Sequence, residues 1–99
     1  MEANNQPKQQ EIQIKAKDSI LAGVYSNAAQ FGHTREEFVL DFMNIFPPSG
    51  TLNSRVIMSP GHFKRMIRVM QENLLKYESQ FGPIQESKQA DTQFGWPVK

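Results

Sequence analysis

Thr34–Phe46, TREEFVLDFMNIF, decides the fold because it reads in two ways. Thr34 and Glu37 have the spacing of a helical capping box, and Phe38, Phe42 and Phe46 recur at helical intervals. The same residues also alternate as Phe38, Leu40, Phe42 and run into Pro47-Pro48-Ser49-Gly50, as a strand entering a turn does. Read as a strand, one face carries Phe38, Leu40 and Phe42 and the other Val39, Met43 and Ile45. Apolar residues on both faces are the pattern of a strand covered on both sides.

The neighbouring stretches tip the choice. Glu11–Lys17 alternates, with Ile12, Ile14 and Ala16 opposite Gln13, Lys15 and Lys17, and Leu52–Met58 alternates again. Ile20–Phe31 is ambiguous: Ile20, Leu21, Val24, Tyr25 and Ala28 suit a helix, whereas Tyr25, Asn27, Ala29 and Phe31 suit a strand face. Were both ambiguous stretches helical, the two alternating runs would have only each other, and an isolated two-stranded ribbon is marginal in water. As strands, they join their neighbours through turns at Gly32-His33-Thr34 and at Pro47–Gly50.

Ser59–Gly82 has a helical start, face and stop. Ser59 is a good N-cap and Pro60 suits the first helical position. Phe63, Ile67, Met70, Leu74, Tyr77 and Phe81 form one apolar stripe, which Met66 and Leu75 widen beyond a narrow coiled-coil seam. Lys64, Arg65, Arg68, Glu72, Lys76 and Glu78 occupy the other face, and Gly82-Pro83 ends the helix. The expected fold is α+β: a small antiparallel β-meander of three to four strands, followed by one long C-terminal α-helix packed on the sheet. Residues 11–84 form the single domain, between a disordered N-terminal tail at 1–10 and a flexible C-terminal tail at 85–99. In that second tail, Phe94 and Trp96 form an aromatic motif that could dock on a partner.

Composition narrows the function classes. A formal net charge of +1 gives no global argument for nucleic acid or an anionic membrane, and the absence of cysteine excludes disulfides and thiolate chemistry. No apolar run approaches the ~20 residues of a membrane span, and the polar opening MEANNQPKQQ is unlike a secretory signal. A cytoplasmic protein without a membrane partner is expected.

Catalytic groups are sparse. His33 and His62 are the only histidines, and neither has a helical i, i+4 histidine partner or a cluster of carboxylates for a metal. Asp41 interrupts an apolar strand and reads as an outward-facing residue or as a carboxylate with a perturbed pKa. No glycine-rich loop precedes a helix. No enzymatic activity and no cofactor are therefore expected. The remaining site signal is the basic group Arg55, His62, Lys64, Arg65 and Arg68, a candidate for binding an anion or a partner beside helix N-terminal amides.

Several runs resemble a known family. Gly23-Val24-Tyr25-Ser26-Asn27, Glu36–Phe42 (EEFVLDF), Arg55-Val56-Ile57-Met58-Ser59-Pro60, Gln71-Glu72-Asn73, Lys76-Tyr77-Glu78 and Phe81-Gly82 are similar in order and spacing to domain of unknown function 3467. The resemblance covers roughly Glu11–Ile84 and departs at Gly61, where an acidic residue is usual, and at Phe63, where a smaller one is. It implies a small prokaryotic-type protein of strands followed by a helix, with no established activity.

Two functions remain in view. The leading one is a non-enzymatic protein-interaction or assembly module, a homo-oligomer and most simply a dimer. Its subunits would meet face to face through the apolar strand, with Phe38, Val39, Leu40, Phe42, Met43 and Ile45 as interface or core. The alternative is a small protein that binds an anion or nucleic acid at the basic first turn of the helix.

Overall fold

The computed structural model describes residues 10–87. Its elements run α1 (Asp18–Ala22), β1 (Ala28–His33), β2 (Phe38–Phe46), β3 (Ser49–Met58) and α2 (Pro60–Phe81). The three strands form one antiparallel sheet in the order β1-β2-β3. The expected α+β layout, a meander followed by a long helix, is the one observed.

The deciding stretch is a strand. The Thr34–Glu37 spacing that suggested a helix cap serves a hairpin turn instead. Thr34 Oγ1 accepts from the backbone N–H groups of Glu36 and Glu37 at 3.2 Å each, and Thr34 N donates to Glu37 O at 2.9 Å. A threonine hydroxyl can close a turn or cap a helix with similar local bonds, so the spacing alone does not separate the two. At the other end Phe46 pairs with Ser49 across Pro47-Pro48, whose peptide bond is cis.

The N-terminal part differs from expectation. Residues 11–17 form no strand, and Ile12 and Ile14 are 78% and 87% exposed. Alternation describes a surface that could be half buried, but a strand exists only against a partner, and no described strand pairs with these residues. The expected strand Ile20–Phe31 also contracts. Asp18–Ala22 is a single helical turn, Gly23 takes a positive φ of 79°, and regular pairing begins only at Ala28. The pairing starts there because β1 is matched to β2, whose Met43 lies opposite Ala28.

The register separates two faces, since successive side chains alternate and cross-strand partners share a side. Phe38, Leu40 and Phe42 share one face with Phe31 and His33 on β1 and Val56 and Met58 on β3. Val39, Asp41 and Met43 share the other with Gln30, Ala28, Ile57 and Arg55. A register shift between Phe42 and Met43 leaves Asn53 as the extra residue of β3. The buried core is small and straddles β2: Leu40 and Met43, on opposite faces, are each 2% exposed, with Ala28 beside them at the sheet end.

The helix forms as its sequence indicates. Ser59 Oγ accepts from His62 N at 3.2 Å, and Gly82, at a φ of 94°, donates its N–H to Glu78 O at 2.8 Å. Its packing is narrower than expected. The Phe63 ring stacks on Phe38 at 4.0 Å and meets Phe31 edge-on at 6.3 Å, and Phe31 in turn meets Phe42 edge-on at 6.0 Å. Met66 is half buried one turn further on. Beyond that the stripe is open, and no residue of α2 is buried. The helix is anchored to the sheet at its first turns rather than laid along it.

Candidate functional site: the exposed stripe of the long helix

Five stripe residues after the anchor, Ile67, Met70, Leu74, Tyr77 and Phe81, are all exposed, from 41% at Ile67 to 67% at Phe81. They follow a 3-4 spacing, so they line one side of a helix roughly 33 Å long. Tyr77 and Phe81 touch at a ring separation of 4.9 Å, which makes the end of the stripe aromatic. A contiguous exposed apolar surface of this kind makes the stripe the candidate site.

The residues expected as interface or core on β2 lie in or beside the core of the single chain. Leu40 and Met43 are buried core, Phe38 is held by Phe63, and Val39, Phe42 and Ile45 are half buried. Exposed apolar residues lie on the strands, at Phe31, Phe46, Val56 and Ile57, as well as along the helix.

The basic group divides. Lys64, Arg65 and Arg68 line a shallow open hollow of about 600 Å³ with Gly61, Ile67 and Gln71. Arg65 Nη2 lies 3.1 Å from His62 Nδ1. Arg55 is not among them. It pairs with Asp41 across β2 and β3, Nε to Oδ1 at 2.7 Å and Nη2 to Oδ2 at 2.8 Å, on the face opposite Phe63. Asp41 is 5% exposed, so of its two readings the outward-facing one fails, and the carboxylate is buried in a two-point ion pair. Hydrogen bonding to Asp41 raises the Arg55 pKa above its ordinary value, against the opposing effect of desolvation. The guanidinium therefore acts as a fixed cation that neutralises a buried carboxylate. Among the described residues no three His, Asp or Glu side chains converge as metal ligands. No helix among them is long and apolar enough to cross a membrane. Phe94 and Trp96 lie outside the described residues.

Sequence reasoning missed the end of the sheet. Asn27 Oδ1 accepts from Ile45 N at 2.8 Å while Asn27 Nδ2 donates to Ile45 O at 3.0 Å, so the side-chain amide imitates one more rung of the ladder. Ser26 Oγ lies 3.0 Å from Met43 O, and the extra residue Asn53 donates through Nδ2 to Tyr25 O. Three consecutive residues thus tie to β2 and to β3. The signal available beforehand was the pair Ser26-Asn27, which reads equally as an ordinary loop.

The fold and its stripe define a small α+β protein: a three-stranded meander carrying a long, largely uncovered amphipathic helix. The chain matches the family described as Protein of unknown function (DUF3467) over residues 1–86, and it belongs to that family. No curated protein and no solved structure matches it.

Proposed function

We propose that the protein is a non-enzymatic, homo-oligomeric interaction module whose contact element is α2. The observation that carries this reading is a 22-residue helix with no buried residue and an apolar stripe along one side. An amphipathic helix gains most of its stability from packing that stripe, and among the described residues only Phe63 and Met66 of its apolar positions are half buried. Association through a twofold is the commonest way to cover such a surface.

Light scattering at micromolar concentration tests the proposal. Against a chain mass of 11.3 kDa, the expected species is a dimer of about 23 kDa. Leu74→Asp should reduce it to the monomer, because the side chain is 48% exposed in the single chain and its loss leaves the sheet intact. A wild-type mass of 11.3 kDa, or a Leu74→Asp protein of unchanged mass, contradicts it.

A further inference from the structure

From the charges that flank the stripe, and resting on the reading of α2 as a self-association element, we infer that two copies pair antiparallel through α2 about a centre between Gln71 and Asn73. Ile67, Leu74 and Phe81 form one row of the seam and Met70 and Tyr77 the other, with Phe63 already taken up by the sheet. The residues bordering the seam on one side are Lys64, Gln71 and Glu78, each seven apart. The opposite border is Met66, Asn73 and Gln80, which carries no charge.

A twofold axis across the helix sets residue i of one copy opposite residue j of the other and j opposite i. About this centre, Lys64 lies opposite the partner's Glu78, Gln71 opposite the partner's Gln71, and Glu78 opposite the partner's Lys64. The same operation sets Ile67 against the partner's Tyr77 and Met70 against the partner's Leu74, so every layer is apolar. Asn73 meets its own copy, and its Nδ2 already donates to Val69 O at 3.0 Å, which reduces the cost of placing an amide at the border.

Three further observations favour this arrangement. The Lys64 border is open in the single chain, since Lys64, Ile67 and Gln71 line the hollow along that flank. Glu78 accepts from Ile84 N through Oε2 at 3.0 Å, which steadies the carboxylate and leaves Oε1 for a cation. The helix also has no acidic residue in its first turn and no basic residue in its last. Its own charges therefore leave the macrodipole uncompensated, and an antiparallel neighbour brings acidic residues to the basic end. Parallel pairing would set Met66 beside Gln71 and Asn73 beside Glu78, with no ion pair at either.

Charge reversal tests the orientation. Lys64→Glu and Glu78→Lys should each weaken the dimer by about tenfold, since two symmetric attractions become repulsions. The double variant Lys64→Glu/Glu78→Lys should recover most of that loss, except any part of the Glu78→Lys effect that reflects the Ile84 contact, which a lysine cannot remake. The cysteine-free chain also permits clean crosslinking. A mixture of Lys64→Cys and Glu78→Cys chains should form the mixed disulfide, and Met70→Cys alone should not crosslink. A dimer that ignores both reversals and crosslinks through Met70→Cys is parallel, which overturns this inference and leaves the assembly reading standing. A monomer at all concentrations overturns both, and a monomer whose stripe is protected by residues 88–99 does so by naming a different occupant.

Discussion

Asp41 and Arg55 show what one residue does for a sheet this small. Burying a carboxylate is costly unless it is paired, and the guanidinium supplies two short charge-assisted bonds from the next strand. Removing Arg55 leaves the negative charge in place without that partner. Arg55→Met should lower the melting temperature by roughly 5 °C, while Arg55→Met/Asp41→Leu should regain most of it, because apolar replacement of such a pair is often neutral. Thermal melts of the two variants check this, and a double variant no better than the single would show that the pair has a role beyond neutralisation. Asn27→Ala deletes the imitation rung at Ile45 and should cost about 1–2 kcal/mol in a denaturant titration. Neither contact was legible beforehand. Asp41 inside an apolar run reads as an interruption until the register places Arg55 beside it, and register depends on non-local pairing.

At the scale of elements, legibility followed how local the determining bonds are. The helix was readable in full because Ser59, Pro60, the stripe and Gly82 all act within a turn or two of themselves. The β2 stretch was readable only as a choice, and its strand form was settled by what its neighbours need rather than by its own pattern. The N-terminal alternation at Ile12 and Ile14 misled, since nothing local records whether a partner strand exists. The stripe itself was visible in the sequence, but its exposure was not, because amphipathicity states which face wants covering and not what covers it. Phe63 is the hinge of the observed packing. Phe63→Ala removes the ring between Phe38 and Phe31 and should cost about 2 kcal/mol of sheet–helix docking. Denaturant unfolding followed by far-ultraviolet circular dichroism would read it, with the helical signal lost ahead of the sheet.

For the whole molecule, the picture is a minimal sheet that is closed on both faces at its centre, carrying a helix that is not. Leu40 and Met43 are buried on the two faces of β2, while Phe31, Phe46, Val56 and Ile57 on the strands stay exposed. Most of the apolar stripe of the helix is exposed. Residues beyond Gln85 follow Gly82-Pro83, where the helix has ended, and truncation there should leave the melting temperature within about 3 °C. A fall on the order of 10 °C would mean that Phe94 and Trp96 contribute to the folded body. The most direct measurement of the central claim is amide hydrogen exchange along α2 at increasing protein concentration. If α2 is the contact between copies, protection at residues 67–81 should rise steeply through the dissociation constant while protection at Leu40 and Met43 stays fixed. Protection of 67–81 that is the same at every concentration, or that rises in β2 instead, would contradict it.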